Sequence, residues 1–396
     1  MAQIMALDGN KAIGYGVMRS KVQLIAAYPI TPQTPIVETI SSLIDQGRYN
    51  ATFITVESEH SALSSVTGAS ATGVRTFTAS ASHGLALMHE VTGNAASSRL
   101  PIVMAVVSRA IPGPLSLWCD HSDIMTQRDQ GWIQLFAKSP QEALDLTMIA
   151  YRLSEDSRVL IPTMLDIDGF YCSHLTERVE VPTPEEAETF IKEFEPNNLV
   201  LDTEHPYAIN NLTSPEIFTE IKKSQDIGMR AASEVLDELF QEFEEKFGRK
   251  YTHIVCDDTE DADIIFVCMG SMGGTVKHTV KKLREEGKKV GIARVLMFRP
   301  FPTKELSHII KNASKVAVID RVSAMGSFGP LYEEVLAAMY HEEDHPEVFN
   351  FIAGLGGRDI SEETIRAIYA KTEKMNSFIT SPIWIDLKEG EVRQNG

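Results

Sequence analysis

Apolar positions along this chain fall into short runs that alternate with stretches of helical period. Val22–Tyr28, Thr52–Val56, Arg75–Thr78, Leu100–Val107 and Arg158–Leu165 have the length and the β-branched or aliphatic character of strands. Helices are expected over Gly9–Arg19, Ile36–Asp45, from Glu59 towards Gly68, and over Leu85–Ala96. Another opens at Ser139-Pro-Gln-Glu142, a capping box with proline at its first helical position, and runs to about Ser154. The alternation stops between Cys172 and Tyr251. Pro182, Pro184, Pro196 and Pro206 mark an extended passage there, and Ile227–Phe247 has the apolar stripe of a long amphipathic helix packing back on what precedes it. A second alternation follows, with strands at Ile264–Met269, Val290–Leu296, Lys315–Asp320 and Val348–Ile352. Its helices are Thr275–Glu286, Thr303–Asn312 and Leu331–Tyr340. The pattern is that of an α/β protein with two doubly wound sheet domains, 1–250 and 251–396.

Charge narrows the partners. With 37 basic and 55 acidic side chains the net charge is −18, which argues against nucleic acid or an anionic membrane surface. No apolar run is long enough to span a bilayer and no signal-peptide pattern opens the chain, so a cytoplasmic location is expected. The four cysteines are scattered without a Cys-x-x-Cys, so no all-cysteine iron–sulfur or zinc-ribbon site is expected within this chain.

Candidate chemistry gathers at strand ends. Glu57 and Glu59 stand at the turn after Thr52–Val56, on the sheet edge where open α/β folds place ligands. The plainer reading is that Ser58 caps the helix and Glu59 complements its positive end. Tyr28-Pro-Ile-Thr-Pro-Gln-Thr-Pro35 carries three prolines in seven positions and makes a stiff loop at a strand end. Ser80–Gly84 is a small-residue loop that lets a ligand approach the backbone. Arg109, at the end of an apolar strand, needs an anionic partner. That partner is either a bound carboxylate or phosphate, or an ion pair with Glu57, Asp120 or Asp123. Asp120-His121-Ser122-Asp123 has no second histidine at metal-ligand spacing and reads as a solvated polar loop, so no metal site is expected. Gly270-Ser-Met-Gly-Gly274 and Gly354-Leu-Gly-Gly357 fit neither dinucleotide nor phosphate-loop signatures and read as tight turns.

The motifs Tyr28-Pro-Ile-Thr-Pro32, Val56-Glu-Ser-Glu-His-Ser61, Gly73-Val-Arg-Thr-Phe-Thr78 and Gly84-Leu-Ala-Leu-Met-His-Glu90 occur in that order. Leu100-Pro-Ile-Val-Met104, Asp129-Gln-Gly-Trp-Ile-Gln134, Arg299-Pro-Phe-Pro302 and Gly354-Leu-Gly-Gly-Arg-Asp359 continue the series. Together they resemble the alpha subunits of pyruvate:ferredoxin oxidoreductases over nearly the whole chain. One departure is His83, where many members carry glutamine.

That resemblance implies oxidative decarboxylation of pyruvate with coenzyme A, electrons passing singly to ferredoxin. It implies thiamine diphosphate shared between subunits. This chain would be the pyrimidine-type half, followed by a transketolase-C-terminal-like domain. The sequence has no Gly-Asp-Gly, so magnesium, the diphosphate site and the iron–sulfur clusters are expected on beta, gamma and delta partner subunits, in a dimer of heteromers. By the same resemblance Glu59 matches the acid at the pyrimidine ring, with Glu57 its local rival. Thr31 and Arg109 match positions that meet the substrate carboxylate, and Pro29, Ile30 and His83 match cofactor contacts. The rival expectations are a sibling enzyme for 2-oxoisovalerate, 2-oxoglutarate or another 2-oxoacid, and a non-catalytic scaffold subunit.

Overall fold

The computed structural model describes residues 2–196, 200–342, 345–376 and 378–392. By contact the chain forms two units, Met1–His253 with Leu296–Pro302, and Ile254–Val295 with Thr303–Gly396.

The first unit is built on a seven-stranded sheet. Across it the strands run Met297–Arg299, Ile133–Ala137, Thr163–Asp168, Val103–Ser108, Thr76–Ser80, Leu24–Ala27 and Thr52–Thr55. All pair in parallel except Met297–Arg299, which lies antiparallel on one edge. Val103–Ser108 and Thr163–Asp168 are buried along their whole length, as central strands covered on both faces must be. Leu24–Ala27 lies between Thr52–Thr55 and Thr76–Ser80, so successive crossovers depart to opposite sides of it. The carboxyl end of this strand is therefore the topological switch point, where an α/β sheet opens a crevice.

Around the sheet, local sequence explains the helices. Ser139 Oγ accepts the Glu142 amide at 3.3 Å and starts the helix Pro140–Glu155. Gly14 and Gly16 on the helix Gly9–Arg19 make room for threonine side chains of neighbouring helices, since a Cβ there would stand 2.9 Å from Thr39 Cγ2 and 2.8 Å from Thr147 Cβ. The long helix begins at Pro215, earlier than its apolar stripe suggests, and runs to Phe247. It buries Ala232, Val235, Leu236, Leu239, Phe240 and Phe243, with Phe243 edge-on to Phe190 at 5.1 Å.

Several elements depart from expectation. The helix expected over Leu85–Ala96 is two, Ser82–Leu87 and His89–Ser97, joined at Met88. Ile133–Ala137, left unassigned by the sequence pattern, is a buried strand. Gln3–Leu7 pairs antiparallel with Glu177–Val181 as a separate ribbon, a pairing of segments far apart in the chain that local pattern does not signal. Leu296 is not the end of the Val290 strand. The strand stops at Val295, and Leu296–Pro302 belongs to the first unit, where Met297 pairs with Leu135.

The second unit carries a six-stranded sheet. Its order is Ile383–Trp384, Glu347–Ile352, Lys315–Asp320, Ile264–Met269, Val290–Val295 and Ile254–Asp257, the last antiparallel. Phe266, Phe349, Phe351, Val276 and Ile365 lie in its core. The glycine turns take left-handed backbone at Gly270 (φ 64°) and Gly354 (φ 76°), as tight turns require. Among the described residues no helix is long and apolar enough to cross a membrane.

Candidate active site

Four loops meet at the carboxyl edge of the first sheet, after Leu24–Ala27, Thr52–Thr55, Thr76–Ser80 and Val103–Ser108. Ser58 takes extended backbone and its Oγ accepts the Ser61 amide at 3.2 Å, which starts the helix Glu59–Ser70. The cap therefore sets Glu59 at the first helical position, beside unpaired amides that favour a negative charge. Glu59 is buried (6% exposed), and among the described residues no donor pairs its carboxylate. Its neighbours explain how it fits. A Cβ on Gly84 would stand 2.5 Å from Glu59 Oε1 and 2.8 Å from Ser80 Oγ, so the carboxylate lies directly against a glycine backbone. Ser80 Oγ is itself buried without a hydrogen-bond partner.

Glu57, at the same turn, points elsewhere. It is exposed, and Ser61 Oγ donates to its Oε1 at 2.6 Å, a bond that lowers its pKa below the usual carboxylate value. The two carboxylates thus differ in what they can do. Glu57 is solvated and satisfied, whereas Glu59 is enclosed and has unused acceptor capacity.

Arg109 is 4% exposed, and burial lowers its pKa from the ordinary guanidinium value. Its Nε donates to Ser116 O at 2.9 Å and its Nη1 to Thr31 O at 3.0 Å. Nη2 has no partner among the described residues, and no carboxylate there lies within 4.0 Å of the guanidinium. The ion pair with Glu57, Asp120 or Asp123 is therefore not what holds it. Thr31 itself is exposed, beside exposed Pro29 and buried Ile30. Their loop is pinned from beneath: Asn10 Nδ2 donates to Pro32 O at 3.0 Å and Gln33 Nε2 to Ala79 O at 2.8 Å. His83 is exposed on the first turn of Ser82–Leu87.

The segment Asp120–Asp123 corrects the reading of a solvated loop. His121 and Asp123 have 0% exposure and Asp120 has 8%. A short helix, Ser122–Met125, folds them inward because amides and side chains there replace water. His121 Nε2 lies 2.6 Å from Asp168 Oδ1, while Asp166 accepts the Ser108 hydroxyl and is held well above the usual carboxylate pKa by burial. Cys119, His121 and Asp168 each bring one donor atom within 4.8 Å of the others, a grouping that the sequence spacing did not suggest. Asp123 Oδ2 accepts the amides of Ser82 at 2.7 Å and Arg109 at 3.0 Å, and Oδ1 accepts that of Ile124 at 2.8 Å.

A family model described as "Pyruvate flavodoxin/ferredoxin oxidoreductase, thiamine diP-bdg" matches residues 15–241, and "Pyruvate:ferredoxin oxidoreductase core domain II" matches residues 262–365. The chain belongs to the pyruvate:ferredoxin oxidoreductase family. The pyruvate synthase subunit PorA of Pyrococcus abyssi is 45% identical over 97% of this chain and 98% of its own length. PorA of Thermotoga maritima is 43% identical over 97% and 98%. The ketoisovalerate oxidoreductase subunit VorA of Pyrococcus horikoshii is 42% identical over 93% of each chain. In fold, the chain resembles a 2-oxoglutarate:ferredoxin oxidoreductase from Magnetococcus marinus, with TM-score 0.71 and 20% identity. That match covers 93% of this chain and 65% of the other. It also resembles a split-gene transketolase, with TM-score 0.51 and 12% identity over 93% of each.

Membership in this family brings a thiamine-diphosphate-binding domain, and the residues present fit such a group. An aminopyrimidine ring needs an enclosed acid at a ring nitrogen and a flat approach to backbone. Glu59 has an enclosed carboxylate without a donor, Ser80 has an orphaned hydroxyl, and Gly84 leaves room where a side chain would intrude. Sequence reasoning did not place Asp123 against the amides of Ser82 and Arg109. Its partner amides lie 41 and 14 residues away, and spacing carries no signal for such pairs.

Proposed function

We propose that this enzyme subunit completes a pyruvate:ferredoxin oxidoreductase that converts pyruvate and coenzyme A to acetyl-CoA and CO2 and passes two electrons, one at a time, to ferredoxin. The observation that carries the reading is the enclosed, donor-free carboxylate of Glu59 against Gly84. Thiamine diphosphate, when bound, supplies the carbon nucleophile and the electron sink that decarboxylation of a 2-oxoacid requires. Glu59 holds the proton shared with the pyrimidine ring nitrogen, in a site dry enough for that contact to bias the ring. Arg109 and Thr31 receive the substrate carboxylate. The unused Nη2 of Arg109 supports this role, and so does a guanidinium fixed by two carbonyls instead of an anion. Pro29 and Ile30 provide apolar contact for the cofactor, with His83 a polar one.

A single cation suits a monocarboxylate with a small neutral acyl group; a dicarboxylate would call for a second. The PorA chain of Pyrococcus abyssi, 45% identical over 97% of this chain, exceeds the VorA chain of Pyrococcus horikoshii, 42% over 93%, only narrowly, so the choice of pyruvate over 2-oxoisovalerate rests on the whole comparison. Magnesium, the diphosphate half and the clusters are assigned to partner subunits in a cytoplasmic complex, because this chain has neither Gly-Asp-Gly nor clustered cysteines. The test is coenzyme A-dependent reduction of methyl viologen by the complete enzyme with pyruvate, 2-oxoisovalerate and 2-oxoglutarate in parallel. The reading requires the highest kcat/KM for pyruvate. A preference for either rival, or no 2-oxoacid activity in a fully assembled complex, would replace it.

A further inference from the structure

We infer that Asp123 is a positioning residue that fixes the distance between the two halves of this site, an inference that rests on the roles proposed for Glu59 and Arg109. One oxygen, Oδ2, accepts backbone amides from two different strand ends: Ser82 after Thr76–Ser80 at 2.7 Å, and Arg109 after Val103–Ser108 at 3.0 Å. These strands are neighbours in the sheet, and their following loops diverge into separate structures. Nothing in a β-ladder beyond Ser80 and Val106 ties those loops together, so the carboxylate takes over where the ladder ends.

Each amide leads to one arm of the chemistry. Ser82 has φ 52°, an unfavourable backbone for a residue with a side chain, and it stands two residues before Gly84. The Gly84 amide in turn donates to Ala81 O at 3.0 Å, so the turn that Asp123 secures is the one that lies against Glu59. Ser82 Oγ donates to Ala110 O at 2.7 Å, a second tie between the same loops. On the other side, the Arg109 amide fixes the Cα from which the guanidinium reaches Thr31 O and Ser116 O. Asp123 has 0% exposure, and its third amide, from Ile124, anchors it to its own helix. A buried carboxylate without a salt-bridge partner is costly, and it persists here through three amides. An oxygen with two lone pairs can accept from both loops at once, which is what Oδ2 does here.

Reaction geometry tolerates little play, and a displacement of about 1 Å can cost roughly 100-fold in rate. The test uses the complete enzyme with Asp123→Ala and Asp123→Asn, and Gly68→Ala as a control on the exposed face of a nearby helix. Amide hydrogen exchange is followed in peptides containing Ser82 and Arg109 without substrate, alongside kcat and KM for pyruvate and thermal melts. In Asp123→Ala, exchange at both segments should rise roughly tenfold or more, and kcat/KM should fall roughly 100-fold. Asp123→Asn keeps one bridging oxygen, so it should recover at least tenfold of that loss. If Asp123→Ala does not assemble, Asp123→Asn decides alone: paired, smaller increases at both segments support the bridge. Faster exchange at only one segment, or a lower melting temperature with unchanged kcat and KM, overturns it. A wild-type enzyme inactive towards every 2-oxoacid would remove the proposed function, and the exchange measurements would still decide whether Asp123 joins the two loops.

Discussion

Arg109 Nη1 donates to the backbone carbonyl of Thr31 at 3.0 Å, which joins the loop after Val103–Ser108 to the loop after Leu24–Ala27. A guanidinium committed to neutral carbonyls keeps its full charge for an anion, and its remaining nitrogen is the natural donor. Arg109→Met should lower kcat/KM for pyruvate roughly 30- to several-thousand-fold, the range for breaking a desolvated charge pair at about 2–5 kcal/mol. Arg109→Lys keeps the charge but not the fork, and should recover only part of that loss. Steady-state kinetics with thermal melts check it. A melt that drops while kcat/KM holds would make Arg109 a structural residue.

Glu59→Gln should leave assembly intact and slow exchange of the cofactor C2 proton by orders of magnitude, because an amide cannot hold the proton. Glu57→Gln should change the same rate little, since Glu57 is solvated and bonded to Ser61. Deuterium incorporation at C2 followed in both variants reverses the assignment if Glu57→Gln is the slower.

Gly84→Ala places a methyl 2.5 Å from Glu59 Oε1 and 2.8 Å from Ser80 Oγ. It should weaken thiamine diphosphate binding to the complete enzyme at least tenfold, read by calorimetry. Gly68→Ala meets nothing within 4 Å on the helix Glu59–Ser70. It should be neutral or raise stability by up to about 1 kcal/mol through helix propensity. Equal binding by Gly84→Ala would mean that the ligand does not need this approach.

How much of this was legible in the chain varies by residue. The turn at Glu57–Glu59 was readable because strand, cap and helix follow one another within a few residues. Which carboxylate is enclosed was not readable from spacing, since that depends on Gly84 arriving from another strand. Arg109 was singled out correctly as a costly buried cation. Its partners were not, because carbonyls of Thr31 and Ser116 carry no side-chain signature. Asp120–Asp123 misled for the opposite reason: four polar residues in a row suggest solvent, and only the tertiary fold supplies the amides that bury them. The antiparallel edge strand Met297–Arg299 was hidden by its distance along the chain from Ile133–Ala137.

Asp123 carries a last consequence in pH. Burial raises its pKa to about 6, against the hydrogen bonds from Arg109 and Ser82 that lower it. In the unfolded chain an aspartate titrates near ~3.9. The folded protein therefore holds a proton at Asp123 that the unfolded chain has already released across the interval from about 4 to about 6. A raised folded pKa stabilises the fold below the unfolded value, and this contribution is lost as pH rises through the folded one. With a gap of about two units at roughly 1.4 kcal/mol each, the loss is bounded at about 3 kcal/mol. Asp123→Asn has no such proton. The stability of wild type relative to Asp123→Asn should thus decline from pH 4 to pH 6 and level off above, in melts of the complete enzyme at matched ionic strength. A difference that stays flat, or rises with pH, would mean that the three amides hold Asp123 ionised throughout, with a folded pKa no higher than that of the unfolded chain.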